Sequence, residues 1–129
     1  MQTAAILAGG RARRLGGRDK SRIVVGGRTI LARQLDVLQR LVPRIVIVAN
    51  TPEQFADAGV PVLTDLMPGC GSMGGIYTAL ADAPGPVLVL ACDMPFVTAP
   101  FLARVIEAGQ EADIAIPRGK DGYQPLCAN

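Results

Sequence analysis

The residues best suited to chemistry in this 129-residue chain lie in one stretch, Leu7-Ala8-Gly9-Gly10-Arg11-Ala12-Arg13-Arg14-Leu15-Gly16-Gly17-Arg18-Asp19-Lys20. Its glycines let successive backbone N–H groups close on a polyanion, because no Cβ holds the chain away. Arg14 can fork across two phosphate oxygens, and Lys20 adds a compact point charge. The stretch is not a Walker A loop, since Lys20 follows Asp19 instead of glycine and the spacing differs. Six basic residues (Arg11, Arg13, Arg14, Arg18, Lys20, Arg22) fall within twelve positions, a density that calls for a nearby anion or full solvation. A solvated arginine-rich loop is the alternative; the interleaved glycines favour a phosphate cradle.

A second glycine-rich stretch, Gly69-Cys70-Gly71-Ser72-Met73-Gly74, matches GxGxxG, and Asp93 follows at about the distance of a ribose contact. Three features oppose a dinucleotide site. Asp65 and Pro68 separate the motif from the strand before it, the motif follows the third strand rather than the first, and an acidic residue before the turn disfavours pyrophosphate. We read it as a tight turn with close helix–sheet packing.

The chain has no His, which removes the commonest general base and the commonest metal ligand. Chemistry is left to carboxylates, Lys, Arg, backbone amides and thiols. Cys70, Cys92 and Cys127 are odd in number and widely spaced, so they form neither a CxxC site nor a disulfide framework. They read as reduced structural residues, with Cys92 and Cys127 buried beside apolar runs.

Alternating strands and helices position these residues. Gln2–Ala8 reads as a buried strand ending at Gly9-Gly10. Helical spacing of Ile30, Leu31, Leu35, Leu38, Leu41 and Val42 predicts a helix over Arg28–Leu41, stopped by Pro43. Arg44–Ala49 is a continuously apolar strand of the kind buried on both faces. Thr51-Pro52 opens a short helix to Ala58. Val60–Thr64 is a third strand, and a loop from Asp65 leads to a helix over Ile76–Ala83. Val87–Ala91 is a fourth strand, ending at Cys92-Asp93. Thr98-Ala99-Pro100 caps a helix to about Gly109, Asp113–Ile116 is a fifth strand, and Gln124–Ala128 is a last one. This alternation implies βαβ crossovers and an α/β fold: a doubly wound, mostly parallel sheet with helices on both faces, in three layers. Ligands bind such sheets beyond the carboxyl ends of the strands, here marked by a polar set: Gly9-Gly10, Asn50, Asp65 and Asp93.

The length suits one domain over residues 1–129. With 50% apolar and 19% charged residues the chain is not intrinsically disordered, and no apolar run approaches the ~18–20 residues that span a bilayer. Met1-Gln2-Thr3 lacks the basic start of a signal peptide, so a cytoplasmic protein is expected. The net charge of +2 hides an asymmetry: residues 1–50 carry ten basic and two acidic groups, residues 51–129 three and nine. Neither nucleic acid nor membrane is expected as a partner.

The Leu-Ala-Gly-Gly stretch with Arg14, Gly16-Gly17 and Asp19-Lys20 resembles the signature of the molybdenum cofactor guanylyltransferases, within the nucleotidyltransferase superfamily. The resemblance continues through Gly26–Leu31, Val48-Ala49-Asn50, Val62–Asp65, Gly71–Ile76, Ala91-Cys92-Asp93-Met94-Pro95 and Tyr123–Leu126, and so covers almost the whole chain. Val48 stands where many members have Asn, and Ser72-Met73 replace Pro-Leu in the turn. Family chains usually continue for several tens of residues to an Asn-x-Asn-Thr-Pro segment that is absent here, so the domain is expected to lack the C-terminal part usual in the family.

That resemblance implies a Rossmann-like nucleotidyltransferase fold that transfers GMP from GTP to the terminal phosphate of Mo-molybdopterin, releasing pyrophosphate. It implies Mg²⁺ as cofactor, GTP and Mo-molybdopterin as partners, and allows transient contact with other molybdenum cofactor proteins. Leu7, Ala8 and Gly9 would present backbone groups to guanine and ribose. Gly10, Arg14 and Lys20 would hold the β- and γ-phosphates, with Arg14, Lys20 and Asp93 as the catalytic set. Asp93 would bind both the metal and the nucleotide, its alternative being a cap at the strand end. Asp65 matches a nucleotide-site position, with a turn cap as its alternative, and Asn50 is either a base contact or a turn former. Cytidylyl transfer to the same pterin is the first alternative activity, though Gly9-Gly10 is more often Ala-Gly in cytidylyl relatives. A catalytically inactive nucleotide-binding protein is the second.

Overall fold

A strand apolar on both of its faces must be covered from both sides, and the described part of this chain solves that with three layers. The structure is a computed structural model that describes residues 2–8, 24–25, 28–49, 55, 58–67, 72–92, 94, 97–116, 118–119, 122–123 and 127–128. In chain order the elements are β1 (Thr3–Leu7), β2 (Val24–Val25), β3 (Arg28–Thr29), α1 (Ile30–Gln39), β4 (Arg44–Ala49) and β5 (Val62–Thr64). They continue with α2 (Ser72–Asp82), β6 (Val87–Ala91), α3 (Ala99–Gly109), β7 (Arg118–Gly119), β8 (Gly122–Tyr123) and β9 (Cys127–Ala128).

The central sheet runs β5-β4-β1-β6-β9. Parallel pairing holds β1 to β4 from Thr3↔Arg44 to Leu7↔Val48, and β1 to β6 from Thr3↔Val87 to Leu7↔Ala91. β5 extends the sheet beyond β4, and β9 closes the far edge of β6 in antiparallel register, Leu90↔Cys127. On one face Ile6, Ile47, Leu88 and Leu90 pack against Leu31, Leu35 and Leu38 of α1 and Leu102 and Val105 of α3. On the other, Ala5, Val46, Val48 and Val89 meet Ile76 and Ala79 of α2. The doubly wound, mostly parallel, three-layer arrangement expected from the alternation is therefore the one observed. Within the described residues no helix is long and apolar enough to cross a membrane.

Helix starts follow local chemistry. The Thr29 hydroxyl accepts from the Ala32 N–H at 3.1 Å and caps α1, while Thr98 accepts from Phe101 N–H at 3.3 Å and caps α3 ahead of Pro100.

Several expectations need correction. Residues 28–29 are strand, not helix: Val24↔Thr29 and Val25↔Arg28 form an antiparallel hairpin, for which the intervening Gly26-Gly27 is the usual sequence signature. α2 begins at Ser72, four residues before the expected Ile76, so Gly74 and Gly75 lie in its first turn. β5 is shorter than expected, Val62–Thr64. Asp113–Ile116 is not a strand; β9 takes the edge of β6, and Ile114 and Ile116 are left exposed. Of the expected Thr51–Ala58 helix, only Phe55 and Ala58 lie among the described residues, and of the last strand only Cys127 and Ala128.

Candidate functional site

In a doubly wound sheet the ligand crevice opens where the strand order reverses. Here the chain steps outward from β1 to β4 and β5, then crosses the opposite face through α2 to reach β6 on the other side of β1. The reversal therefore falls between β1 and β6. At its carboxyl end Leu7 is paired with Ala91, and the Cys92 N–H donates to the Leu7 carbonyl at 3.2 Å. On the β4 side the Ala8 N–H donates to the Val48 carbonyl at 2.8 Å. Gly9 and Asp93 each follow two residues after this Leu7–Ala91 pair, and Asn50 follows the last residue of β4. Of the expected site residues, Leu7, Ala8 and Asp65 are described; Gly9, Gly10, Arg14, Lys20, Asn50 and Asp93 lie outside the described residues.

Asp65 sits just past β5 and is built into a local network. Its Oδ1 accepts the Met67 N–H at 2.8 Å, a turn of the kind short carboxylate side chains favour. The buried Thr78 hydroxyl of α2 accepts the Leu66 N–H at 2.8 Å and donates to the Gly74 carbonyl at 2.8 Å, with Asp65 Oδ1 3.4 Å away. Gly74 makes this possible. A Cβ there would stand 2.5 Å from the Met67 carbonyl oxygen and 2.9 Å from Asp65 Oδ1, closer than real Cβ atoms come. At Gly75 a Cβ would lie 3.1 Å from Leu7 Cδ2. The two glycines thus bring the first turn of α2 against both the tip of β1 and the turn after β5, the close helix–sheet packing expected of this stretch. They do so although glycine costs about 1 kcal/mol per helical position relative to alanine.

The third support was missed by sequence reasoning. Gln34 occupies a core position in the apolar stripe of α1, between Leu31, Leu35 and Leu38, and is fully buried. Its Nε2 donates to the Ala91 carbonyl at 2.7 Å and the Met94 carbonyl at 3.2 Å. An oxygen in that place would face two acceptors, so the amide orientation follows from its partners. Its Oε1 is buried with no hydrogen-bond partner among the described residues, an arrangement that costs about 1–3 kcal/mol where a buried acceptor stays unpaired. A lone polar residue inside a helical apolar stripe was the signal that could have found it.

Other polar features lie elsewhere. Arg44, at the amino end of β4, pairs with Asp82 at the end of α2. A shallow groove lined by Gln39, Pro43, Arg44 and Pro61 is at that same amino-terminal end of the sheet, away from the strand tips. Cys92 is buried, as expected; the side chains of Cys70 and Cys127 lie outside the described residues.

Among the described residues no cluster of three or more His, Cys, Asp or Glu side chains could hold a metal ion alone. Mg²⁺ is commonly held by one or two carboxylates together with substrate phosphates, and the Asp65 carboxylate beyond β5 provides hard oxygen donors of that type. Asp65 is thus a carboxylate of the right kind among the described residues, while Asp93, the expected metal ligand, lies outside them.

Residues 4–129 match the family model of the MobA-like NTP transferase domain. The molybdenum cofactor guanylyltransferase of Desulfosudis oleivorans is 36% identical over 98% of this chain and 63% of its own length. The crystal structure of molybdopterin-guanine dinucleotide biosynthesis protein A from Archaeoglobus fulgidus superposes with a TM-score of 0.79 at 28% identity, covering 98% of this chain and 65% of that one. Rv0371c from Mycobacterium tuberculosis gives the same TM-score of 0.79 at 25% identity, covering 98% of this chain and 69% of that one. The chain thus spans about two thirds of the length of the proteins it is similar to.

Proposed function

Because the chain belongs to the MobA-like NTP transferase domain family, we propose that it carries the nucleotide site of an enzyme that transfers GMP from GTP to the terminal phosphate of Mo-molybdopterin. The observation that carries this reading is the reversal of strand order between β1 and β6, where Leu7 pairs with Ala91 and the sequence runs on from each into Gly9-Gly10 and Asp93. The name borne by the Desulfosudis oleivorans relative supports the pterin and the guanylyl group.

In this reaction an oxygen of the pterin phosphate forms a bond to the α-phosphorus of GTP, and the bond from that phosphorus to the bridging oxygen breaks. Pyrophosphate leaves with the electron pair. The nucleophile is already an anion near neutral pH, so no general base is required, and a chain without His is equipped for the step. The barrier is electrostatic and geometric: two phosphate anions must meet in line while charge moves to the leaving group.

The residues divide this work. Backbone groups of Leu7, Ala8 and Gly9 meet guanine and ribose, with Asn50 at the base and Asp65 on the nucleotide side. Gly10, Arg14 and Lys20 hold the β- and γ-phosphates and stabilise the departing pyrophosphate. Asp93 would hold a divalent cation, read as Mg²⁺, which would supply positive charge to offset that of the phosphates. Calorimetry with GTP, CTP and ATP in the presence of Mg²⁺ tests the reading. GTP is expected to bind at least about tenfold tighter than CTP, a difference of roughly 1.4 kcal/mol. Equal affinities would remove the guanine assignment and leave the phosphate site standing, tighter binding of CTP would favour cytidylyl transfer, and binding to none of the three would remove the nucleotide site.

A further inference from the structure

We propose that Thr78 is a positioning residue for the nucleotide site: its buried hydroxyl ties the turn after β5 to α2 and so fixes the carboxylate of Asp65. The inference rests on the guanylyl-transfer reading, in which Asp65 lies on the nucleotide side, and adds to it a residue on α2, an element to which that reading gives no part.

The Leu66 N–H belongs to the peptide bond that joins Asp65 to Leu66, and it donates to the Thr78 hydroxyl at 2.8 Å, which places the Asp65 backbone. The Met67 N–H donates to Asp65 Oδ1 at 2.8 Å, which sets how the side chain turns on that backbone. Thr78 is pinned in its turn. Its hydroxyl has one proton and two acceptors, and the Gly74 carbonyl at 2.8 Å takes it in preference to Asp65 Oδ1 at 3.4 Å. Thr78 therefore acts on the carboxylate through the backbone of the turn. Gly74 leaves no slack on the remaining side, since a Cβ there would stand 2.9 and 3.1 Å from the two carboxylate oxygens. Among the described residues Oδ2 accepts no hydrogen bond, so the turn uses one oxygen of this half-buried carboxylate and leaves the other to a ligand. The helix itself does not call for a hydroxyl at this position. Thr78 is 3% exposed and precedes Ala79, which packs on the sheet, and valine would fill the same shape. A hydroxyl bonded back to the carbonyl one turn earlier competes with the helix and does not strengthen it. What it adds is the link to a peptide twelve residues away. Side chains that meet a ligand are most effective when hydrogen bonds behind them lock their orientation.

The test is a double-mutant cycle on GTP affinity, read by calorimetry on the wild-type chain, Thr78→Val, Asp65→Asn and the double variant. Thr78→Val keeps the shape and removes the hydroxyl, and its dissociation constant for GTP is expected to rise about threefold or more. In the Asp65→Asn background the carboxylate is already gone, and there the same substitution is expected to change the constant by less than about twofold. Thr78→Ser keeps the hydroxyl and loses the methyl. It is expected to bind GTP within about twofold of wild type while its melting temperature falls. Should Thr78→Val fail to fold, Thr78→Ala takes its place beside Thr78→Ser, the two differing by the hydroxyl alone. A Thr78 that only supports the fold would lower the melting temperature of Thr78→Val and leave GTP affinity unchanged. That result, or a loss of affinity that persists undiminished in the Asp65→Asn background, overturns the inference and leaves the guanylyl-transfer reading standing. Wild-type affinity in Asp65→Asn does the same. A wild-type chain that binds no GTP overturns both.

Discussion

A Cβ on Gly74 would stand 2.9 Å from Oδ1 of Asp65, so the helix after the third parallel strand begins in a space that glycine alone fills. The same Cβ would meet the Met67 carbonyl oxygen at 2.5 Å, and a backbone oxygen cannot swing aside as a side-chain tip can. The start of α2, the turn after β5 and, through Gly75, the tip of β1 are therefore one packed unit.

Gly74→Ala measures that packing. Alanine's helix propensity alone would stabilise the exposed interior of a helix by up to about 1 kcal/mol. Overpacking against backbone typically costs about 1–3 kcal/mol, and here it is expected to win. Urea denaturation should show a net loss of stability. A gain would mean that α2 does not approach Asp65 as closely as described.

Asp65 has a structural duty and a proposed nucleotide duty, and two substitutions separate them. Asp65→Asn keeps an Oδ1 acceptor for the Met67 N–H, so stability should stay within about 0.5 kcal/mol of wild type. Asp65→Ala leaves that N–H without its partner and should cost about 1 kcal/mol. If the carboxylate faces the nucleotide, GTP affinity falls in Asp65→Asn although the fold is intact. Unchanged affinity there would reduce Asp65 to a turn former.

Lys20 tests the basic loop. A point charge on the leaving pyrophosphate matters most in the transition state, so Lys20→Ala should lower the turnover of GMP transfer by more than it weakens GTP binding. Steady-state kinetics beside a binding titration would show the split. Unchanged turnover would return the loop to a solvated basic surface.

How far the sequence could be read depended on whether the deciding interaction was local. β4 and β6 were legible to the residue, because runs such as Arg-Ile-Val-Ile-Val-Ala and Val-Leu-Val-Leu-Ala are apolar on both faces and end abruptly. The cap and proline at Thr98-Ala99-Pro100 located α3 in the same way. The ends of β4, β5 and β6 were legible where their apolar runs stop, and the layer order follows from the alternation. What escaped depends on contacts distant in sequence. Close helix–sheet packing at Gly74 was legible, but not that Gly74 and Gly75 lie inside α2, pressed against Asp65, Met67 and Leu7. Asp113–Ile116 has a strand's alternation, yet the edge it would use is taken by Cys127–Ala128. The polarity of Gln34 gained a meaning only when Ala91 and Met94, some sixty residues away, were found at its amide.

On the proposed reading a metal–nucleotide complex sits at the carboxyl ends of β1 and β6, with Asp93 as the metal carboxylate. Titration of GTP with and without Mg²⁺, into the wild-type chain and into Asp93→Asn, tests it most directly. The substitution keeps the shape and removes the charge, and a neutral amide coordinates a hard cation far more weakly than a carboxylate does. The account predicts that Mg²⁺ strengthens GTP binding in the wild type, that Asp93→Asn loses this enhancement, and that metal-free GTP binding holds steady or strengthens slightly. Full enhancement retained in Asp93→Asn would contradict it and make Asp65 the next candidate.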